Sequence, residues 1–252
     1  MTSDAALAAA LAEGAGRVLL DLRAQAPADL GAEGDRRSNA FLLERLGHLR
    51  PADAVLSEEA KDDQRRLSAD RVWIVDPLDG TREYAERTDG AWRTDFAVHV
   101  ALWQRGAGLV AGAVALPARG QVFGTGRPVP PPAARGDGPL RVAVSRSRPP
   151  ELVRRLGALL PVELVGMGSA GVKAMAVVTG EVDAYLHGGG QSEWDSAAPV
   201  AVAVAAGLHT SRLDGSPLAY NNSDPWLPDL LVCRAGLAPR LLAAVAQIEG
   251  GR

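Results

Sequence analysis

The sequence contains one cysteine and four histidines among 252 residues. A single cysteine rules out a disulfide within the chain, which is typical of a protein from a reducing compartment. Cys233 lies in the apolar run 230–233 with no evident acid or base beside it, so we predict a buried, inert thiol. The histidines are scattered without zinc-ligand or acid/base spacing, and His99 is expected only to pack within a strand. A cysteine or histidine nucleophile is therefore not indicated.

The sequence also lacks a long uncharged segment and a strong net charge. The longest uncharged run, residues 196–211, is shorter than the ~18 residues expected of a membrane-spanning helix. Residues 1–22 are rich in alanine and leucine, but four charged side chains interrupt the apolar core that a signal peptide needs. The net charge of −3 does not indicate a general binder of nucleic acid or membrane surfaces. We therefore expect a cytoplasmic protein that meets anionic ligands with local cations.

The first half of the chain is predicted to combine two helices with a sheet. Apolar residues at helical spacing predict a helix over residues 3–24. A polar, glycine-containing stretch follows through Gly31 and Gly34, and a second helix is expected to end near Pro51. Short apolar runs and period-two alternation predict strands over residues 54–56, 72–75, 96–103, 109–116 and 121–123.

The second half is predicted to be an α/β unit with a largely parallel sheet. Residues 125–138 are rich in proline and glycine and show no apolar period, which indicates a linker. We therefore divide the chain into an N-terminal α+β half (1–125), a linker (126–138) and a C-terminal α/β half (139–252). Beyond the linker, predicted strands alternate with helices. The strands are 141–144, 162–165, 182–186 and 230–233, and the helices are 150–160, 172–178, 195–206 and 237–248.

Residues 73–81 carry the strongest functional signal. A short apolar run ends at Asp76 and Asp79, which lie three residues apart with Pro77 between them. Two carboxylates held this close repel each other, and a divalent cation relieves that repulsion. Gly80 then opens a predicted helix whose free N–H groups suit a phosphate. This order of features indicates metal-assisted phosphoryl chemistry.

Two further acidic residues follow similar elements. Glu58 comes directly after a predicted strand, and Asp195 lies at the apparent start of a helix. Acidic side chains beyond strand ends point into the crevice where open α/β sheets bind ligands, and their hard oxygens suit Mg²⁺. Each residue also has a structural alternative, because Asp195 could be a helix N-cap, Glu58–Glu59 a solvated loop pair and residues 76–80 a turn. These alternatives do not explain why every member is acidic.

Three segments resemble the inositol monophosphatase-like superfamily of Mg²⁺-dependent, lithium-sensitive phosphatases, and the resemblance covers nearly the whole chain. The segments are Glu58–Glu59, residues 73–81 and residues 194–199. Within the superfamily, residues 79–84, 144–148 and 168–173 are most similar to the bacterial CysQ-type 3′-phosphoadenosine 5′-phosphate phosphatases. The resemblance implies a layered α/β/α/β/α sandwich with the active site between its two halves.

The resemblance also implies a set of metal ligands. Glu58, Asp76 and the backbone carbonyl of Leu78 would hold one Mg²⁺ ion. Asp76, Asp79 and Asp195 would hold a second ion, and Glu58 would assist with a third, weaker one. The expected cofactor is therefore a cluster of two or three Mg²⁺ ions.

The residues expected to act on the attacking water are Asp35, Thr81 and Glu58. By resemblance, Thr81 and Asp35 would orient and deprotonate that water. Asp35 departs from the family pattern, because a short Ala/Gly-rich loop stands where relatives usually have a Thr-x-x-Asp segment. A role as N-cap of the second predicted helix is therefore an open alternative for Asp35.

Substrate selection is expected to come mainly from the second half of the chain. Lys173 and Arg146 are candidates for the substrate's non-reacting phosphate, and Ser145 and Ser169 could donate to phosphate or ribose oxygens. The full expected substrate-binding set is Gly80, Thr81, Ser145, Arg146, Gly168, Ser169, Lys173 and Asp195.

The function that the resemblance implies is removal of the 3′-phosphate from 3′-phosphoadenosine 5′-phosphate, or from its sulfated form, to give AMP. Inositol monophosphatase or fructose-1,6-bisphosphatase activity is the alternative within the class. A non-catalytic, Mg²⁺-dependent nucleotide sensor is a more distant alternative. The expected partner is a small phosphorylated nucleotide, with no nucleic acid polymer and no membrane, and the sequence leaves open whether the chain forms a homodimer.

Overall fold

Two five-stranded sheets and the helices around them build the protein in a computed structural model, which describes residues 2–62, 64–133, 136, 138–147 and 151–250. The first half begins with helices α1 (Asp4–Gln25) and α2 (Leu30–Leu49). The elements that follow are β1 (Ala54–Ser57), β2 (Arg71–Asp79), α3 (Thr81–Ala85), β3 (Arg87–Thr88), β4 (Ala91–Trp92), β5 (Ala97–Gln104), β6 (Gly108–Leu116) and β7 (Gln121–Gly124). The predicted strands of this half are confirmed.

The first sheet has the strand order β1-β2-β5-β6-β7, and its side chains alternate between two apolar clusters. Trp73 and Val75 of β2 are buried against α1 and α2, whereas Val72 and Ile74 are buried on the opposite face. Because side chains in a strand alternate with a period of two, Asp76 lies on the face of Val72 and Ile74. The register with β5 shifts between Asp76 and Asp79, where the strand reaches its end. The apolar pattern of β2 therefore directs Asp76 toward the second half of the chain.

The second half forms a mixed sheet, so the prediction of a largely parallel sheet is wrong. Its elements are β8 (Leu140–Ser145), α4 (Glu151–Leu156), β9 (Val162–Met167), α5 (Ala170–Val178), β10 (Ala184–Ser192), α6 (Glu193–Ala205), β11 (His209–Ser211), β12 (Trp226–Cys233) and α7 (Ala238–Gly250). The strand order is β11-β12-β10-β8-β9, and β8 is parallel to β9 and β10. Strand β12 is antiparallel to both its neighbours, because it follows β11 through a loop and not through a crossover helix.

The helices and sheets stack in five layers. Helices α1 and α2 cover the outer face of the first sheet, and α4 and α7 cover the outer face of the second. Helices α5 and α6 lie between the sheets, where the apolar cluster contains residues from both. The layered α/β/α/β/α architecture is thereby confirmed. The division at residues 126–138 stays a prediction; this segment joins β7 to β8, and its residues 134, 135 and 137 lie outside the described residues.

Helix α2 begins earlier than predicted, because the glycine-containing stretch is itself helical. A Cβ atom at Gly34 would lie 2.7 Å from the ring of Tyr84 and 3.0 Å from the Leu78 side chain. Glycine therefore lets α2 pack closely on the corner between β2 and α3. The helix predicted over residues 150–160 is shorter, and residues 148–150 lie outside the described residues. Among the described helices, none has the length and apolarity needed to cross a bilayer.

Candidate metal centre and active site

Three aspartates from two distant parts of the chain converge between the sheets. Oxygen atoms of Asp76, Asp79 and Asp195 lie within 4.8 Å of one another. Strand β2 supplies the first two, and the first turn of α6 supplies Asp195. Ser192 is the N-cap of α6, and the carboxylate of Asp195 accepts a hydrogen bond from the Ser192 N–H at 2.6 Å. The N-cap alternative for Asp195 is therefore wrong, although the residue does stabilise the start of its helix.

Glu58 adjoins this cluster because β1 is parallel to β2. The parallel register brings Ser57 opposite Val75, so Glu58 follows directly beside Asp76, and its N–H donates to the Val75 carbonyl at 3.4 Å. The side chain lies at the solvent-exposed rim of the centre, beside Asp76. Glu58 thus adjoins the three converging aspartates from the solvent side.

The crowding of these carboxyl groups disfavours their ionised forms. Burial raises the pKa of Asp76 well above its ordinary value, and the charges of Asp79, Glu58 and Asp195 add to this effect. Burial together with the neighbouring acids likewise raises the pKa of Glu58 to about 7 and that of Asp195 to about 6. Buried, mutually repelling carboxylates with hard oxygen atoms fit a divalent cation such as Mg²⁺. The cluster could therefore hold a metal ion.

Asp79 differs from its neighbours because hydrogen-bond donors surround it. Burial opposes its ionisation, but His99, the Ser169 hydroxyl and the Gly171 N–H outweigh burial and lower the pKa of Asp79 to about 2. The Gly171 N–H donates to Oδ2 at 2.7 Å, and the Ser169 hydroxyl donates to the same oxygen. Asp79 is therefore ionised at any physiological pH.

Ser169, which is expected to donate to the substrate, donates to Asp79 in the structure. A hydroxyl has one proton, and Ser169 gives it to Asp79 while its oxygen accepts from the Val172 N–H at 3.0 Å. Ser169 is the N-cap of α5 and has a φ of +55°. Ser169 therefore orients the Asp79 carboxylate in the structure, and its role toward the substrate stays a prediction.

Asp35 and Thr81 meet beside the carboxylate cluster. Asp35 lies inside α2, whose N-cap position is Asp29, so the N-cap alternative for Asp35 is wrong. The Thr81 hydroxyl lies 3.2 Å from Asp35 Oδ1 and 3.2 Å from the Leu78 carbonyl oxygen. Burial and the nearby charge of Glu59 raise the pKa of Asp35 to about 6. The pair stands beside the Leu78 carbonyl, which the resemblance implies as a metal ligand.

Sequence comparison identifies the family: residues 3–249 match the inositol monophosphatase family. The chain belongs to this family. It is 55% identical over 260 residues to the 3′-phosphoadenosine 5′-phosphate phosphatase of Mycobacterium leprae, a match that covers 98% of this chain and 94% of the relative. It is 32% identical over 207 residues to the 3′(2′),5′-bisphosphate nucleotidase CysQ of Escherichia coli K12, which covers 77% of this chain and 80% of the relative.

Solved structures of the inositol monophosphatase family have the same fold. The crystal structure of CysQ from Bacteroides thetaiotaomicron superposes with a TM-score of 0.76 at 27% identity, covering 91% of this chain and 96% of that one. Staphylococcal IMPase-II bound to 2′AMP gives a TM-score of 0.78 at 21% identity, covering 96% of this chain and 97% of the other. The family resemblance read from the acidic segments is thus confirmed.

Two of the expected substrate-binding residues of this family member, Arg146 and Gly168, contact acidic side chains outside the aspartate cluster. The guanidinium of Arg146 is paired with Asp95 and lies 3.6 Å from Glu83. Gly168 donates its N–H to Asp95 at 2.7 Å, and a Cβ atom there would lie 2.4 Å from Glu83. Arg146 and Gly168 therefore belong to one ion-paired corner, and their role toward substrate stays a prediction.

Three further expected substrate-binding residues are Lys173, Gly80 and Ser145. Lys173 is 7% exposed, with Nζ 5.2 Å from the centre of the Tyr185 ring. Burial lowers its pKa, while nearby acids, Asp79 first among them, oppose that change. Gly80 is the N-cap of α3 with a φ of +91°, and Ser145 Oγ lies at the end of β8, 3.4 Å from Ser147 Oγ. Lys173 is thus a buried cation close to the acidic cluster.

Sequence reasoning missed two buried residues in this family member. His99 was expected only to pack, yet its Nε2 lies 3.2 Å from Asp79 Oδ2. Glu193 is fully buried, and its carboxylate accepts from the backbone N–H groups of Asn221 and Asn222 at 2.6 and 2.8 Å. The available signal was the polarity of His99 in an alternating strand, on the same face as Ala97. No comparable pattern pointed to Glu193.

Proposed function

We propose that this chain is a Mg²⁺-dependent phosphomonoesterase that hydrolyses the 3′-phosphate of 3′-phosphoadenosine 5′-phosphate and releases AMP. The observation that carries the proposal is the approach of Asp76, Asp79 and Asp195 to within 4.8 Å of one another beside the Thr81–Asp35 pair. The substrate is proposed from the relatives, since the 55% identical protein of Mycobacterium leprae is named for this reaction.

The proposed metal ligands are Glu58, Asp76, Asp79, Asp195 and the carbonyl oxygen of Leu78. Their fit to Mg²⁺ is supported by their hard oxygen atoms and by the pKa values of Asp76, Glu58 and Asp195, which are raised by burial and by repulsion from the neighbouring acids. When bound, two or three Mg²⁺ ions would neutralise phosphate charge and activate water. The contacts of Asp79 with Ser169 and Gly171 would keep that carboxylate ionised and oriented.

Thr81 and Asp35 are proposed to manage the proton of the attacking water. The Thr81 hydroxyl can donate to Asp35 Oδ1, which leaves oxygen lone pairs on Thr81 to accept a hydrogen bond from water. With a pKa of about 6, Asp35 is mostly ionised above neutral pH and still basic enough to accept a proton. Thr81 would thereby orient the attacking water, and Asp35 would accept its proton.

Lys173 is our leading candidate for the second phosphate, which distinguishes a nucleoside bisphosphate from a monophosphate. Its ammonium group is buried beside the acidic cluster, where an anion would relieve the cost of burial. Arg146 is the second candidate, and it would have to share its guanidinium with Asp95 and Glu83. The other members of the proposed set are Gly80, Thr81, Ser145, Gly168, Ser169 and Asp195.

A phosphate-release panel tests this function. The substrates are 3′-phosphoadenosine 5′-phosphate, its sulfated form, inositol 1-phosphate and fructose 1,6-bisphosphate, each assayed with Mg²⁺ and with EDTA. We expect the highest kcat/KM for the adenosine 3′,5′-bisphosphates and no phosphate release in EDTA. A preference for inositol 1-phosphate would instead indicate inositol monophosphatase activity. Nucleotide binding without any Mg²⁺-dependent release would instead support a sensor.

A further inference from the structure

The imidazole of His99 connects two elements that carry acidic residues of the metal centre. His99 lies on β5 and is fully buried. Its Nδ1 lies 3.0 Å from the backbone carbonyl oxygen of Trp194 on α6. Its Nε2 lies 3.2 Å from Asp79 Oδ2 at the end of β2. One side chain therefore contacts both segments that supply the converging aspartates.

The space for this ring is created by a glycine on a third element. A Cβ atom at Gly171 would lie 2.2 Å from His99 Nε2 and 3.0 Å from the Ala97 side chain. Gly171 is the second residue of α5, and its own N–H donates to Asp79 Oδ2. The start of α5 therefore packs directly on the imidazole. The Gly171 N–H and His99 Nε2 both contact Asp79 Oδ2.

The partners of the ring fix its role as a donor. The carbonyl oxygen of Trp194 can only accept, so the proton of the shared hydrogen bond resides on His99 Nδ1. A side chain without this nitrogen would release the first turn of α6, in which Asp195 directly follows Trp194. It would also remove one of the groups that surround Asp79 Oδ2.

We propose that His99 is a positioning residue of the metal centre, which holds Asp195 on α6 at its distance from Asp79 on β2. The inference rests on the proposed metal dependence and adds a residue to it. Groups that orient metal ligands from behind typically change metal affinity or activity by about 10–100-fold when they are removed. His99 acts through the two aspartates. We therefore expect its loss to weaken the binding of Mg²⁺ and to leave the affinity for the substrate nearly unchanged.

The test measures Mg²⁺ binding without turnover. The melting temperature of the full chain is recorded against MgCl₂ concentration at constant ionic strength, for the wild type, His99→Leu and His99→Gln. Leucine fills the space without a donor, whereas glutamine keeps a donor in its amide NH₂ group. We expect the half-saturating Mg²⁺ concentration to rise about 10–100-fold in His99→Leu, with an intermediate rise in His99→Gln. The KM measured at saturating Mg²⁺ should remain close to that of the wild type.

Val98→Ala is the matched control. Val98 is the preceding residue of β5, is equally buried, and packs in the cluster that faces α1 and α2. This variant should lower the melting temperature without changing the half-saturating Mg²⁺ concentration. A folded His99→Leu variant with a half-saturating concentration within about twofold of the wild type overturns the proposal. If His99→Leu does not fold, the same criterion applies to His99→Gln. A wild-type chain without any Mg²⁺ response overturns the proposed metal dependence and this inference with it.

Discussion

At the scale of single residues, Asp76 is the buried acid of the centre on which the other three acidic side chains act. It is 1% exposed, and its pKa is raised by burial and by the charges of Asp79, Glu58 and Asp195. Its Oδ1 also accepts from the Leu78 N–H at 3.0 Å, which fixes the backbone that presents the Leu78 carbonyl. Asparagine can keep that hydrogen bond while removing the negative charge, so it separates the electrostatic role from the structural one.

We expect Asp76→Asn to fold and to lose at least about a thousandfold in kcat/KM, equivalent to about 4 kcal/mol of transition-state stabilisation. In EDTA its melting temperature should equal or exceed that of the wild type, because one of several repelling carboxylates is gone. Phosphate release and thermal unfolding measure the two effects. Full activity in this variant would contradict the metal-centre assignment.

At the scale of elements, the packing of α2 on the β2–α3 corner brings Asp35 to Thr81. Gly34 makes this approach possible, since a Cβ atom there would lie 2.7 Å from the Tyr84 ring. Tyr84 is fully buried, and its hydroxyl donates to the Leu19 carbonyl at 2.7 Å, so the ring has little freedom to move. Any added volume at Gly34 must therefore displace α2 and with it Asp35.

Gly34→Ala is expected to destabilise the fold by about 1–3 kcal/mol and to lower kcat, because overpacking moves Asp35 away from Thr81. Gly47→Ala is the matched control in the same helix, since no heavy atom lies within 4 Å of the position that its Cβ would take. The control should be neutral or more stable, by up to about 1 kcal/mol, through higher helix propensity. Urea unfolding and phosphate release compare the two variants. Equal behaviour of both would show that the corner tolerates added volume.

At the scale of the whole molecule, the acidic centre makes stability depend on pH and on divalent cations. The folded-state pKa values of Glu58, Asp195 and Asp35 are about 7, 6 and 6, above the ordinary values of these groups, and that of Asp76 is also raised. Between about pH 5 and 7 the folded chain therefore binds more protons than the unfolded chain, and its stability falls as pH rises. His187 and His209, whose pKa values burial lowers, act in the opposite direction but are fewer.

We expect the melting temperature in EDTA to fall between pH 5.5 and 7.5, and Mg²⁺ to restore it more strongly at pH 7.5. The physical reason is that deprotonated carboxylates repel one another without a cation and bind it when it is present. Thermal unfolding at both pH values, with MgCl₂ or EDTA at matched ionic strength, measures the effect. A Mg²⁺ response that is equal at both pH values would contradict the coupling between these carboxylates and the cation.

The sequence by itself predicted most strands and helices and the acidic core of the site, while the layered architecture was implied by the family resemblance. Alternating apolar residues in β2 place Asp76 on the inner face, and the short spacing from Asp76 to Asp79 keeps both at the end of one strand. These features depend on local periodicity, which a short segment of chain contains completely. For the same reason, most predicted strands and helices agree with the structure, and the family resemblance is confirmed by the match over residues 3–249.

Only the tertiary structure decided which groups the site residues contact. Asp35 was ambiguous because its partner Thr81 lies 46 residues away, and the contact of Ser169 with Asp79 was not predicted because Asp79 lies 90 residues away. His99 reaches Trp194, 95 residues further along the chain, through the packing of α6 on β5. A hydroxyl or an imidazole can serve many acceptors, and the choice among them is made by the packing of distant elements.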